Sequence, residues 1–384
     1  MANTKLSCFW NKTDFAAGYR SAVSLHSHTN YSKESLIFIP QFTENWPVLN
    51  WALKRKCDLA KIPVDFSRAY WTPPLTPERA YNVEKSQIED SLGVTGFVSL
   101  TDHDTIEAPT SLQMTADAYP IPISLEWSVP YEGTVYHFGI HNLPVQSAQE
   151  IMARLAAHTS NPSGTPFIEL ISKLHEIPDV LIVFNHPLWD LCNLGPKRHR
   201  EILDKFLRQY SYYIHAIELN GMRSWKENKE AMKLADRWDL PIISGGDRHG
   251  CEPSAALNLT TAGTFSEFVQ EIRLDQKSHV VFMPQYSEPR AVRTAHCLMD
   301  VIRFYPEAPL GSRRWDDRVF HPGLDGISIR PLSALWGTPP DFLRRIFAGL
   351  LMWESSATRR SLRRSSPSRV DLRISSNTSR EAAL

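Results

Sequence analysis

A chain of 384 residues can bury one barrel-sized core and still leave length for appendages. Its 42 lysines and arginines balance 42 aspartates and glutamates, so no global field selects a nucleic acid or a membrane. The five cysteines (Cys8, Cys57, Cys192, Cys251 and Cys297) are scattered and form no CxxC pair, which argues against a disulfide framework or a zinc knuckle. The first ten residues lack the apolar core of a secretory signal, and the apolar run at 346–353 is too short to span a bilayer. The expectation is a cytoplasmic protein with no membrane partner.

The first predicted strand, 22–25, runs directly into His26-Ser27-His28. Residues two apart share a face of an extended chain, so both imidazoles can grip one ion or two adjacent ones; a pair of surface loop histidines is the competing reading. From 37 to 77 prolines alternate with Trp46, Trp51, Tyr70 and Trp71, which reads as an ordered insertion because a linker carries few aromatics. Pro77 then opens a helix that Gly93 ends.

The second strand, 96–100, delivers Asp102-His103-Asp104. Strand 121–125 delivers Glu126 and Trp127, strand 134–136 leads to His137, and strand 138–140 leads to His141. Strand 180–184 delivers Asn185-His186-Pro187, strand 216–219 delivers Asn220, and strand 241–244 delivers Gly245-Gly246-Asp247-Arg248-His249. Helical patterns at 147–157, 168–175, 200–209 and 224–238 lie between them, and this alternation predicts a mostly parallel sheet or barrel. A barrel presents its chemistry at the C-terminal ends of its strands. Seven of the fourteen histidines fall at such ends, together with Glu126 and Asp247. A mixed imidazole and carboxylate set without thiolates suits Zn²⁺, Mn²⁺ or Fe²⁺, and it has too many ligands for one tetrahedral ion.

Taken in order, Leu25-His-Ser-His28, Thr101-Asp-His-Asp-Thr105, Glu126 followed by His137, Asn185-His-Pro187 and Gly246-Asp-Arg-His249 resemble the motifs of the PHP (polymerase and histidinol phosphatase) family. The resemblance spans about 22–285. It implies an α/β fold, a distorted (β/α)7 barrel, with two or three divalent ions at its C-terminal face and phosphoester hydrolysis as the activity. The implied ligands are His26, His28, His103, Glu126, His137, His186, Asp247 and His249, with Glu126 bridging two ions and His141 outside the ligand set. Many members carry an aspartate shortly after the first His-x-His, where this chain has Glu34; either Glu34 replaces it on a shifted loop or the ligand is missing. Asp102 and Asp104 either orient His103 or bind a third ion.

The implied substrate is a small phosphorylated metabolite or nucleotide, with nucleic acid entering only as an alternative substrate of a nuclease; a metal site without turnover is the non-enzyme alternative. His249, His186 and Asp247 are the candidates for proton relay. Arg248 and Arg223 are the candidates for clamping the phosphate, against surface ion pairing. Trp127 and Trp189 either stack on substrate or fill the core, the second being expected. The insertion at 37–77 leaves beside His26 and His28, so it is expected to cap the ions, with Lys61 or Arg68 reaching the far end of the substrate. The barrel is expected over 1–299 and a C-terminal extension over 300–354. An Arg/Ser-rich tail at 355–384 is expected to be solvated and disordered.

Overall fold

The computed structural model describes residues 3–11, 16–36, 65–115, 121–323, 325–337 and 341–353. Most of the insertion (37–64, with Trp46, Trp51 and Lys61) and the Arg/Ser-rich tail lie outside the described residues.

Two five-stranded sheets carry the fold. The first is formed by β1 (Asn3–Cys8), β2 (Ser21–Ser27), β5 (Thr95–Leu100), β11 (Ala256–Thr260) and β12 (Lys277–Phe282), in the order β1-β12-β11-β2-β5. The second is formed by β6 (Ile123–Tyr131), β7 (Thr134–Leu143), β8 (Leu181–Asn185), β9 (Ala216–Asn220) and β10 (Ile242–Gly245), in the order β10-β9-β8-β7-β6. β3 (Glu34–Ser35), β4 (Tyr70–Trp71), β13 (Val319–Pro322) and β14 (Ile329–Pro331) make a small antiparallel sheet of their own, in the order β14-β13-β4-β3.

The two large sheets meet at one end. A bridge joins His103, just past β5, to Glu126 on β6. At the opposite edge of the second sheet, Gly246 N donates to Leu25 O (2.8 Å), and Ser27 bridges Arg248. Both junctions fall on the segments that carry the histidines.

The mostly parallel arrangement expected from the alternation holds for only part of the fold. β1–β12, β2–β5, β8–β9 and β9–β10 are parallel, whereas β6–β7, β7–β8, β2–β11 and β11–β12 are antiparallel. The reversal after β6 has a local cause. Only Glu132 and Gly133 separate β6 from β7, both with positive φ (47° and 83°), and a two-residue turn of this kind makes a hairpin. The runs 134–136 and 138–140 are accordingly one ten-residue strand.

Helix α1 (Pro77–Leu92) begins where the proline predicts, with Thr76 accepting from Arg79 N and Gly93 closing it in the left-handed conformation. Next come α2 (Glu107–Thr115), α3 (Ala148–Ser160), α4 (Phe167–Glu176), α5 (Pro196–Tyr210), α6 (Trp225–Trp238), α7 (Phe265–Arg273) and α8 (Arg290–Ile302). A buried aromatic cluster including Trp127, Phe138, Phe167, Phe184 and Phe206 joins the second sheet to its covering helices. Trp127 belongs to this core: it is fully buried and its indole N–H faces Leu155 O and Thr159 Oγ1 (both 3.2 Å), so it does not stack on substrate.

Candidate metal centre

All eight implied ligands meet at the junction of the two sheets, although Glu126 and His137 lie within β6 and β7 and not at their ends as expected, because the 123–131 and 134–143 runs continue past them as a long hairpin. His26, His28 and His103 come from the first sheet, Glu126, His137 and His186 from the second, and Asp247 and His249 from the loop after β10. At the centre lies the buried Glu126 carboxylate. His26 Nε2 (3.1 Å), His28 Nε2 (3.4 Å) and His103 Nδ1 (3.3 Å) face its Oε2, and His186 Nε2 (3.1 Å) and His137 Nδ1 (3.5 Å) face its Oε1. Asp247 Oδ1 stands 3.8 Å from His26 Nε2 and 3.9 Å from His28 Nε2.

Glu34 lies beside three of these histidines. Its carboxylate lies 3.1 Å from His249 Nε2, 3.3 Å from His103 Nε2 and 3.5 Å from His28 Nδ1, so it joins the cluster from the short strand β3. Among the described residues, four groupings have donor atoms close enough to share an ion: His28, Glu34, His103 and His249; His26, Glu126 and His186; His26, His28 and Asp247; and His103, Glu126 and His137.

These residues fit metal ions on their own chemistry. His26 Nε2, His28 Nε2, His103 Nδ1 and His137 Nδ1 are buried without a hydrogen-bond partner, although buried polar atoms are normally satisfied. Four orphaned nitrogens aimed at one carboxylate are what a cation would satisfy. The electrostatics agree. Burial opposes ionisation of Glu126, yet His26, His103 and His137 hold it well below the usual carboxylate range, and His249, His103 and His28 do the same for Glu34. Burial would also depress His103, but Glu34 and Glu126 raise it to about 10. His137, where burial wins, falls to about 3. The carboxylates therefore draw positive charge into a buried volume.

Backbone strain gathers here. His26 (φ 62°), Asp104 (51°), His186 (27°) and Asp247 (51°) all occupy the left-handed region that non-glycine residues avoid, and such outliers persist where the surroundings over-determine them.

Glu218 escapes a reading of strand ends because it lies inside β9 as an ordinary polar position. Its Oε1 accepts from His26 Nδ1 (2.5 Å) and its Oε2 from His186 N (2.7 Å), which fixes the His26 tautomer and leaves Nε2 as the free donor atom. Gly245 is required for this, since a β-carbon there would overlap the Glu218 carboxylate. Asn220 also supports the site, donating to Glu218 Oε2 (2.9 Å) and Asp247 Oδ2 (3.0 Å).

Other expected residues have different duties. Asp102 binds Thr29 N (2.5 Å) and Thr29 Oγ1 (2.6 Å), and Asp104 accepts from Ser128 N (2.8 Å), so both carboxylates brace loops. Burial lifts Asp102 to about 6 despite the Thr29 bonds. His141 bonds through Nδ1 to Ser99 Oγ (2.8 Å) and lies outside all four groupings, as the resemblance implies.

Arg248 corrects the expectation of a phosphate clamp. The residue is buried, and its guanidinium is taken up by Glu84 Oε1 (Nε, 2.7 Å), Gly250 O (Nη1, 2.7 Å) and His28 O (Nη2, 3.1 Å). It pins the His26–His28 loop to the Asp247–His249 loop. Arg223 is placed differently: its guanidinium lies over the Trp189 ring at 4.2 Å, and that ring is 5.2 Å from the ring of His186. Burial lowers the Arg223 pKa, which the Asp247 charge partly opposes, and its Nε has no partner. From the far end of the insertion, the Trp71 ring stands 5.8 Å from the ring of His249, whereas Arg68 turns away to the Gly326 and Ile327 carbonyls.

No family model matches the sequence, and no curated protein does. Remote likenesses occur among solved structures. PsfC from Pseudomonas syringae PB-5123 is 16% identical over 56% of this chain and 86% of its own, with a TM-score of 0.38. An amidohydrolase from Chromobacterium violaceum, solved with sulfate and no metal, is 14% identical over 59% and 87%, with a TM-score of 0.36. A Bifidobacterium adolescentis protein provisionally described as a metal-dependent phosphoesterase is 15% identical over 67% and 96%, with a TM-score of 0.35. The chemistry of the site therefore rests on its own residues. Among the described residues, no helix is long and apolar enough to cross a membrane.

Proposed function

We propose that the chain is a metal-dependent hydrolase of the PHP type, acting on a small phosphorylated metabolite or nucleotide. The observation that carries this reading is the set of orphaned imidazole nitrogens converging on the buried Glu126. Two or three Zn²⁺, Mn²⁺ or Fe²⁺ ions held there would supply Lewis acidity and make water nucleophilic near neutral pH. Glu126, His26 and His186 would hold one ion and Glu34, His28, His103 and His249 another, while Asp247 with His26 and His28, or His137 with Glu126 and His103, could serve a third. A seven-stranded ring of β2, β5, β6, β7, β8, β9 and β10 fits the two junctions between the sheets.

On this reading Arg223, flattened against Trp189 beside His186, receives the anionic group; a guanidinium matches phosphate oxygens in geometry, and stacking fixes its plane. His249, hydrogen-bonded through Nδ1 to the Asp247 carbonyl (3.0 Å), would offer its Nε2 beside Glu34 to an ion, which leaves it no ring nitrogen for proton transfer.

The test is hydrolysis of phosphomonoesters, phosphodiesters and short oligonucleotides by metal-analysed protein, alongside the His26→Ala/His28→Ala double variant. More than one transition-metal equivalent per chain is expected, with chelator-sensitive turnover of small monoesters. The double variant is expected to lose at least one ion. Wild-type metal content in the double variant, or turnover that survives full chelation, would refute the assignment.

A further inference from the structure

One half of the candidate centre is held by strands of the two large sheets, while the other half depends on a distant part of the chain. Glu34 sits on β3, which among the described residues pairs with β4 alone, through Glu34–Trp71 and Ser35–Tyr70. β4 in turn pairs with β13 through Trp71–Val319 and Tyr70–Phe320, and the Tyr70 and Phe320 rings stack at 4.9 Å with 13° between their planes. Thr72 N donates to Arg318 O (2.8 Å), continuing the contact beyond the strand. The carboxylate that meets His28, His103 and His249 is thus registered against residues 318–320, almost three hundred positions away.

The same C-terminal segment grips the His249 loop. Cys251 N, two residues past His249, donates to Asp300 Oδ2 (2.7 Å), and Tyr305 Oη lies 3.1 Å from Cys251 Sγ while donating to Asp300 O (2.8 Å). Arg318 draws the segment together. Its buried guanidinium donates to the carbonyls of Ser312 (2.8 Å), Arg313 (3.1 Å), Val301 (2.6 Å) and Arg303 (2.8 Å) and lies over the Tyr305 ring at 5.1 Å. Two site residues, Glu34 and His249, therefore depend for position on the segment that Arg318 organises. His26, Glu126 and His186 have no such dependence; they lie on or beside strands of the large sheets, oriented by Glu218 and Asn185.

We propose that the C-terminal segment 300–322 is a positioning element for the Glu34, His28, His103 and His249 half of the centre, with Arg318 as its key positioning residue, so that this half can be emptied while the other stays loaded. The inference rests on the metal-dependent reading above. A small antiparallel sheet and one guanidinium thereby couple the far end of the chain to the occupancy of a single ion.

The experiment is Co²⁺ titration of the full chain, followed by visible absorption and by metal analysis, for the wild type, Arg318→Ala, Phe320→Ala and Glu34→Gln. Wild-type protein is expected to bind at least two ions with distinct spectra. Arg318→Ala, Phe320→Ala and Glu34→Gln should each weaken the same one at least tenfold and leave the other within about twofold. Far-UV dichroism and the melting profile show whether the large sheets persist. If Arg318→Ala does not fold, Phe320→Ala, which removes one stacked ring from a partly exposed strand, decides. Equal weakening of both ions in the folded variants, or wild-type affinities for both, would overturn the proposal. A wild-type chain that binds no Co²⁺ would instead overturn the metal-dependent reading itself.

Discussion

Arg248 shows how much a residue's partners decide. The Gly246-Asp-Arg-His249 stretch offers a cation beside two candidate ligands, and from sequence a phosphate is its natural counter-ion. Glu84, 164 positions away on α1, takes it instead, in a pair whose members are 4% and 0% exposed. Glu84 also accepts from Ser24 Oγ (2.8 Å), Ser27 Oγ (3.2 Å) and Ser254 Oγ (3.0 Å), so the pair sits in a satisfied polar network. Removing one member of such a pair strands the other charge in the interior. Arg248→Ala is therefore expected to lower folding stability by about 3–5 kcal/mol in denaturant unfolding. Unchanged stability with a fall confined to kcat/KM would return Arg248 to the substrate. The residues legible from sequence were those whose chemistry marks them wherever they stand, such as His26, His28 and His103. Glu218 and Glu84 were hidden because a lone carboxylate in a strand or helix reads as a solvated position, and only the fold shows what it meets.

At the scale of elements, the apolar runs located most strands and helices, and Pro77 and Gly93 bounded α1 to the residue. Strand direction was not legible, because a run of apolar residues carries no sign of which way it points. β1, β11, α2 and α7 went unseen for lack of any chemical group at their ends. The first of them, the edge strand β1, takes part in a testable titration. His279 on β12 lies 2.8 Å from Ser7 Oγ on β1 through Nε2 and 2.7 Å from Tyr19 Oη through Nδ1, tying the outermost strand to the sheet. Burial, with Lys5 adding to it, lowers its pKa from 6.5 to about 4. A folded-state value below the unfolded one means that the unfolded chain binds the extra proton. The contribution is thus complete above about pH 6.5 and is lost as the pH falls through 4. Comparing wild type with His279→Gln by thermal melting from pH 7.5 to 4, we expect the acid loss to shrink in the variant by on the order of 2 kcal/mol. Parallel melting curves would show that His279 does not set the acid limb.

For the whole molecule, the governing feature is that the eight implied ligands are split between the two large sheets and a returning loop, with Glu34 on the small third sheet. His26 and His249 are brought together only after more than two hundred intervening residues have taken their places. In kinetic terms the pocket is among the last things to exist. A nucleus built from the local β6–β7 hairpin or from neighbouring strands and helices contains only fragments of it, and contacts of such long sequence separation form late. Ions that recognise the finished pocket stabilise the native state without stabilising the transition state that precedes it. Metal should accordingly slow unfolding while leaving the refolding rate in chelator and in metal the same within about twofold, as stopped-flow measurement of both limbs would reveal. Refolding accelerated by metal would place part of the pocket in the nucleus. Absent that, the ions act as a latch on a structure already built, and the loaded protein's lifetime is set by how seldom the two sheets part.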